Sequence, residues 1–546
     1  MKRSRKALVL ILVSTVAIVT IGFQQADIYF LIKKNFSIFS KAYENVALEY
    51  VDDVDPELLM RNGMEAMLET LDPYTVFYNE SQNERAEIFS RSNYAGIGLD
   101  AGYRDGEVVV VAPTEGGPAD KKGIRAGDII LAIDGVSTQG LQPDEVQNLT
   151  MGEIGSELTI SIKRFGFEQP LNFVLKRERI EIPNVTYTDL IGENEEFGYI
   201  RLAQFGQNSA EEIRNSLIEL GEEKEMNGLV IDLRDNPGGI LQEAVAIIDK
   251  FVEPGLTVIE TRGRIAEYNQ GYETREPVMF DKPIVILVNG GSASASEVVA
   301  GALQDLDRAV ILGERSFGKG LVQIVKPMPY NTSLKITISR YYIPSGRSIQ
   351  SLAYTHESRN ASISREETAN RVFRTRNGRS VREGRGIEPD LESESPSPEL
   401  IEIALYQEGG FLDFATKFEA ENSTFTADEL PEDVYQSFLS FLETNEFDFK
   451  TDSEFLLQEL GDEYNDNDEI SSHLNSIKDI IQKEKEALLK ENEESIRRTL
   501  YLELISRYKG QSAKTKAALE FDKQLNEAIE LLSNPDKISS ILNGQG

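Results

Sequence analysis

Residues 289–301, NGGSASASEVVAG, set serine hydroxyls at 292, 294 and 296, between an apolar run and a helix-forming one. A hydroxyl becomes a nucleophile when a neighbouring base takes its proton and free N–H groups await the oxyanion. A tight Gly290-Gly291 turn followed by a helix start offers such groups, because the first four amides of a helix have no intrahelical acceptor. Ser294 and Glu297 also have the S-x-x-E spacing of a capping box, so Ser294 reads equally as a helix cap and as a nucleophile. Histidine, the usual base, is nearly absent. The chain has two, His356 and His473, and neither lies in a segment built to hold a catalytic group.

A second stretch, GERSFGKG (Gly313–Gly320), begins like a phosphate-binding P-loop, with Gly313, Gly318 and Lys319 in register. That motif next needs Ser or Thr to ligate magnesium, and a helix aimed at phosphate. Gly320 follows instead, then LVQIVKP, a β-branched run ending in proline, and nucleotide binding is rejected. Lys319 lies in a glycine-flanked bend between two apolar strands. Where backbone crowds and little water enters, the ammonium form is destabilised and lysine can act as a general base. A surface lysine in a turn is the other reading. LRDNPGG, residues 233–239, ends another apolar run and offers further free amides at the same sheet edge. An oxyanion hole needs two donors aimed at one spot, and the amides of Gly239 and Ala295 suit it; an ordinary strand-to-helix turn explains the residues too.

The elements that must position these groups belong to a long, acidic chain. At 546 residues it exceeds one ordinary domain, and a net charge of −35 argues against nucleic acid, which needs basic patches. With no cysteine there is no thiol nucleophile, disulfide or thiolate metal site, and two separated histidines make an imidazole metal site improbable. No cofactor and no metal are expected. The start, MKRSRK then ALVLILVSTVAIVTIGF, is a basic cluster before an apolar run, read as an uncleaved signal anchor or a cleaved signal peptide. Either places the rest of the chain outside the cytoplasm.

Five segments follow from the periodicity. Residues 1–25 are the anchor or signal, and 26–92 form a helical cap in which LDPYTVFY breaks the pattern. From residue 93 to 178 the period is two, with glycine-rich turns. Residues 179–392 alternate strand-like runs (FGYIRLAQF, NGLVIDLRD, KPIVILVNG, RAVILGER) with helices, the mark of an α/β domain. Within them, 351–386 is a polar loop rich in Arg, Ser and Asn, read as an exposed insertion or a binding segment. Residues 393–546 are helical and acidic, with about twenty acidic residues against two basic ones between 401 and 470, and end in long amphipathic patterns.

Taken together, NGGSASASEVVAGALQDLDRAVILGERSFGKGLVQ resembles the signature of the C-terminal processing (tail-specific) peptidases, serine proteases that use a Ser/Lys pair. The likeness extends to LDPYTVFY, DLRDNPGG, GRSIQ and GIEPD, and covers roughly residues 40–390. The module with GIGLD and GGPADKKGIRAGDIILAIDG resembles a bacterial PDZ domain, which in that family precedes an α/β, crotonase-like protease core. The resemblance implies Ser294 as nucleophile, Lys319 as base and Gln323 as the residue orienting the lysine. It also implies oxyanion donors at Ala295 and Gly239, supporting roles for Ser292 and Ser296, and a structural or second-layer Asp305. Gly96, Ile97, Gly98 and Leu99 would form the loop that holds a chain-end carboxylate, with Ile97 and Leu99 facing an apolar pocket. Implied partners are protein substrates with apolar C-termini and, through the N-terminus, a membrane on the periplasmic side of the envelope; a homo-oligomer is compatible. A non-catalytic PDZ scaffold, and an adaptor or oligomerisation role for the C-terminal helices, are the rival readings.

Overall fold

The computed structural model describes residues 28–104, 106–351, 371–395, 398–427, 429–445, 447, 452–464 and 468–545. The expected anchor at 1–25 lies outside them, as does His356. Among the described residues no helix is long and apolar enough to cross a membrane. The described residues divide into two compact units, the first of residues 28–81 and 323–337, the second of the remainder.

In the first unit, helices span 28–49 and Pro56–Leu68. Asp55 caps the second, its side chain accepting from the Glu57 and Leu58 N–H groups before a proline at the first turn. The break at LDPYTVFY is a strand, Val76–Tyr78, paired antiparallel with Ser333–Lys335. There β-branched and aromatic residues after a proline leave the helical period and join a sheet.

The β-rich module of the second unit is built on a five-strand path: β1 (Leu99–Arg104), β2 (Glu107–Pro113), β3 (Ile129–Ile133), β4 (Glu157–Lys163) and β5 (Leu171–Lys176) in that order. Helix α1 (Pro143–Thr150) precedes β4. Alternation along β4 (Leu158, Ile160, Ile162) and β2 (Val108, Val110) drives one face into a core with Ile97, Ile124 and Ile130.

The central sheet has the order β6 (Val185–Ile191), β7 (Phe197–Leu202), β8 (Gly228–Asp232), β9 (Ile284–Val288), β10 (Val310–Gly313) and β11 (Leu391–Glu392). It is parallel from β7 onward, with β6 antiparallel at one edge. Helices α2 (Ser209–Glu223), α3 (Leu241–Ile248) and α4 (Ala295–Asp305) fill the crossovers. Parallel strands buried on both faces should read as continuous apolar runs, and these do. Ile200, Leu202, Leu229, Ile231, Ile284 and Ile286 face the crossover helices. Their alternates, Tyr199, Val230, Val285 and Leu287, face the end of the chain, where Leu525, Ala528, Leu531, Leu532 and Ile538 cover them.

Residues 393–546 therefore divide. Helices α5 (Leu400–Gln407), α6 (Gly410–Glu421), α7 (Val434–Thr444) and α9 (Glu493–Lys509) share a core rich in phenylalanine, while α11 (Lys523–Leu532) and α12 (Pro535–Leu542) close the central sheet. Between them lie α8 (Asp468–Glu491), where His473 is exposed, and α10 (Gln511–Glu520). Of the polar stretch 351–386, residues 352–370 lie outside the described residues; the rest is corrected from loop to hairpin, Val372–Arg374 against Ser380–Arg382.

The helical segment also grips the β-rich module. Arg507, its side chain 4% exposed, donates to the Ala126 carbonyl across the junction and to Glu419, the Leu412 carbonyl and Thr416 on its own side. Arg125 reaches Glu419 at 2.9 Å and Arg104 reaches Asp413 at 2.8 Å. Replacing Arg507 by alanine leaves a partly buried carboxylate and two carbonyls short of this donor. A loss of about 3 kcal/mol is expected, to be measured as a lowered midpoint for the helical segment and β-rich module in hydrogen-exchange-monitored denaturation.

Candidate active site

The three serines have different fates. After β9 the chain turns at Asn289, and the Ser292 hydroxyl donates to the Leu233 carbonyl at 2.7 Å while accepting from Asn289 N–H at 2.9 Å. The Ser296 hydroxyl donates to the Asn236 carbonyl at 2.9 Å. Both side chains are fully buried and serve as rivets between the serine turn and the 233–239 turn. Ser294 is half-buried and stands at the N-cap of α4 with φ 55° and ψ −112°. Positive φ is sterically unfavourable for a residue with a Cβ and is kept only where the surroundings enforce it.

The 233–239 turn is organised by a residue the sequence reading passed over. Asn236 is wholly buried, donates to the Leu202 carbonyl at 2.7 Å and accepts from Gly238 N–H at 2.9 Å. Its own carbonyl receives Ala293 N–H and the Ser296 hydroxyl, both at 2.9 Å. Gly238 has φ +96°, and a Cβ there would lie 2.8 Å from both Ala295 N and Ser294 Cβ, so its bare Cα lets the two turns touch. The Gly238 amide is spent on Asn236. Among the described residues, no acceptor meets the amides of Gly239 or Ala295. These are the two donors the sequence singled out.

The lysine loop is tied to the serine turn through one carboxylate. Glu297, in the first turn of α4, is 0% exposed. Its Oε2 accepts from Ser294 N–H at 2.9 Å and from Lys319 N–H at 2.8 Å; its Oε1 accepts from the Ser316 hydroxyl at 2.5 Å and Gly318 N–H at 2.7 Å. The backbones of Ser294 and Lys319 thus sit one hydrogen bond from the same oxygen atom. Phe317 N–H adds a bond to the Ser292 carbonyl at 3.0 Å, and the Tyr341 hydroxyl donates to the Lys319 carbonyl. Burial pushes the Glu297 carboxyl above its usual range, and the four donors only partly offset this. The S-x-x-E spacing located Glu297 as a cap; its three bonds to the lysine loop, some twenty residues on, leave no local signal in the sequence.

Gln323 belongs to the first unit, where its amide donates to Thr337 Oγ1 at 3.3 Å. Asp305, at the far end of α4, is buried, pairs with the equally buried Arg347 at 3.0 Å and accepts from Ser345 N–H at 3.0 Å. It anchors the GRSIQ turn.

In the β-rich module, Gly98 has φ +68°, and among the described residues no acceptor meets the Ile97 or Gly98 amides. Leu99 N–H points to the Tyr94 hydroxyl, and the Tyr94 ring lies over Gly96, 2.6 Å from where a Cβ would be. Ile97 corrects the expectation of an open pocket. It is wholly buried in the module's core because its side chain points inward beneath the loop, and Leu99 packs partly against the same core. Among the described residues β1 pairs with β2 alone, which makes it the edge strand. No cluster of metal-ligating side chains occurs among the described residues.

This arrangement has relatives. A carboxy-terminal-processing protease of Bartonella bacilliformis is 35% identical over 326 residues, covering 59% of this chain and 74% of the relative. The chain belongs to this family. Its members are serine-type peptidases, and the description "Peptidase family S41" matches residues 196–356, which include both the serine turn and the lysine loop. The carboxy-terminal processing protease CtpB of Bacillus subtilis is 34% identical, covering 56% of this chain and 64% of the relative. A carboxyl-terminal-processing protease of Synechocystis is 35% identical, covering 53% of this chain and 68% of the relative. A PDZ domain matches residues 109–164, and the C-terminal helical domain of a probable PDZ-protease matches residues 401–532.

For a processing protease built this way, Glu297→Gln sets an amide NH2 against two of the four donors. A drop in kcat of about a hundredfold is expected from the misplaced turn. The variant also has a pH signature. A carboxyl held above its usual pKa in the fold keeps its proton when the unfolded chain has lost it, so stability falls as pH rises through that interval. Thermal midpoints of parent and variant across pH 4–8 are expected to differ by that slope, which glutamine lacks. Gly238→Ala, which forces a Cβ against Ser294 and Ala295, is expected to cost about a hundredfold in kcat as well, with circular dichroism unchanged.

Proposed function

We propose that Ser294 is the nucleophile of this peptidase and Lys319 its general base. The observation that carries the reading is the shared carboxylate: Glu297 fixes the backbones of both residues, while the hydroxyls of Ser292 and Ser296 are committed to the neighbouring turn. Neutral Lys319 takes the Ser294 proton as Oγ attacks a substrate carbonyl. The amides of Gly239 and Ala295 hold the oxyanion; the protonated lysine then delivers its proton to the leaving amine. Water enters and loses its proton to Lys319 as it attacks the acyl carbon, and the lysine returns that proton to Ser294 Oγ as the acyl group leaves. Gln323 is assigned to orienting the lysine on the strength of the family motif.

Substrates are proteins or peptides with apolar C-terminal tails. The tail adds as a strand on the free edge of β1, with its carboxylate on the amides of the Ile97–Gly98 turn. Among the described residues no acceptor meets the amides of that turn and β1 is paired on one side only, which supports this. The basic cluster and apolar run at residues 1–23 support export, with the peptidase tethered on the periplasmic side of the inner membrane.

The test is digestion of unfolded β-casein followed by mass spectrometry. Ser294→Ala is expected to abolish cleavage, and Lys319→Ala to reduce it by about a thousandfold. Since only the neutral amine accepts a proton, kcat/KM should rise with pH through the lysine's titration; an acid optimum, or an active Ser294→Ala protein, overturns the assignment. For the PDZ domain, a peptide with an apolar C-terminus should bind, and amidating that C-terminus should weaken binding at least about tenfold.

A further inference from the structure

The turn that carries Gly239 is held on its inner side by Asn236. Its outer side is held by Arg234, whose N–H and Nε donate to Asp232 Oδ1 at 3.0 and 2.9 Å and whose Nη2 donates to Asp232 Oδ2 at 2.6 Å. Asp232 ends β8, is buried, and also accepts from the Tyr199 hydroxyl at 2.7 Å. The same guanidinium then reaches the end of the chain. Its Nη1 donates to Asp522 Oδ1 at 3.1 Å and Gln524 Oε1 at 3.0 Å, and its Nη2 to Asp522 Oδ2 at 2.5 Å.

Asp522 and Gln524 are themselves fixed. Asp522 is the N-cap of α11 and accepts from Leu525 N–H at 3.0 Å; Gln524 is buried and donates to the Ser393 carbonyl at 2.5 Å. Behind them α11 is bolted to the sheet by Leu525, Ala528, Leu531 and Leu532. Arginine's planar fork, filled by two carboxylates and an amide, leaves the Arg234 side chain a single orientation.

We propose that Asp522 and Gln524, at the start of α11, are positioning residues for peptide hydrolysis. Acting through Arg234, they set the 233–239 turn so that the Gly239 amide points where the oxyanion forms. This rests on the assignment of Gly239 to the oxyanion site. The expected signature is kinetic, because an oxyanion donor is used in the transition state and not in substrate binding. Loosening it lowers kcat and leaves KM in place.

The experiment uses full-length protein and fluorescein-labelled β-casein. Asp522→Asn keeps an N-cap residue and removes the negative charge that faces Arg234; Gln524→Ala removes the second acceptor. The control is Asn534→Ala, which deletes the side-chain cap of α12, where Asn534 accepts from Lys537 N–H at 3.2 Å, on the same covering layer and away from Arg234. Asp522→Asn and Gln524→Ala are each expected to lower kcat by about tenfold with KM unchanged, and Asn534→Ala to lower the thermal midpoint while sparing kcat. Parental kcat in Asp522→Asn overturns the proposal. So does a loss of kcat in all three that follows their loss of thermal stability. Failure of the underlying reading is separate: there, Ser294→Ala would still cut.

Discussion

A single buried carboxylate organises this site. Glu297 is shut off from solvent, and its two oxygens meet four hydrogen-bond donors, one from the serine turn and three from the lysine loop. Burying a carboxylate is costly, and the cost is offset only while each lone pair is met. Moving either loop therefore strands a donor and an acceptor together. That makes the serine turn and the lysine loop one object, although twenty residues and a strand of the central sheet separate them. The strained backbone of Ser294 is held by the same bond that caps its helix.

The fold was largely legible because its physics is local. Parallel strands buried on both faces appear as runs such as LVID and IVILV, and the crossover helices appear as three- and four-residue spacing between them. Serine 294, lysine 319 and the Gly239 turn stood out because small residues after apolar strands mark where backbone must bend tightly. What stayed hidden was long-range. Glu297 looked like a cap because a capping box is a four-residue pattern, whereas its bonds to Gly318 and Lys319 depend on tertiary placement. Asn236 lay inside a motif read for its glycines. Ile97 was misread because an apolar residue beside a binding loop serves equally as pocket lining or as core, and only burial separates the two.

The acidic segment after residue 393 read as one helical body, and the charge pattern explains why. Its exposed faces carry the acidic residues throughout, which masks a change in what the buried faces meet. Up to Lys509 they meet one another through stacked and edge-on phenylalanines; from Lys523 they meet Tyr199, Val230, Val285 and Leu287. Hydropathy gives the width of an apolar stripe and not the identity of its partner.

The second face of the central sheet is thus supplied by helices that come more than two hundred residues after the strand Val310–Gly313. Synthesis proceeds from the N-terminus, so serine, lysine and both glycine turns emerge while Phe197, Val285 and Leu312 still lack their cover. The peptidase is consequently assembled last-in, first-needed: its catalytic sheet becomes a finished core only when the closing helices arrive. A nascent chain of this protein carries its own delay, written into the order of its segments.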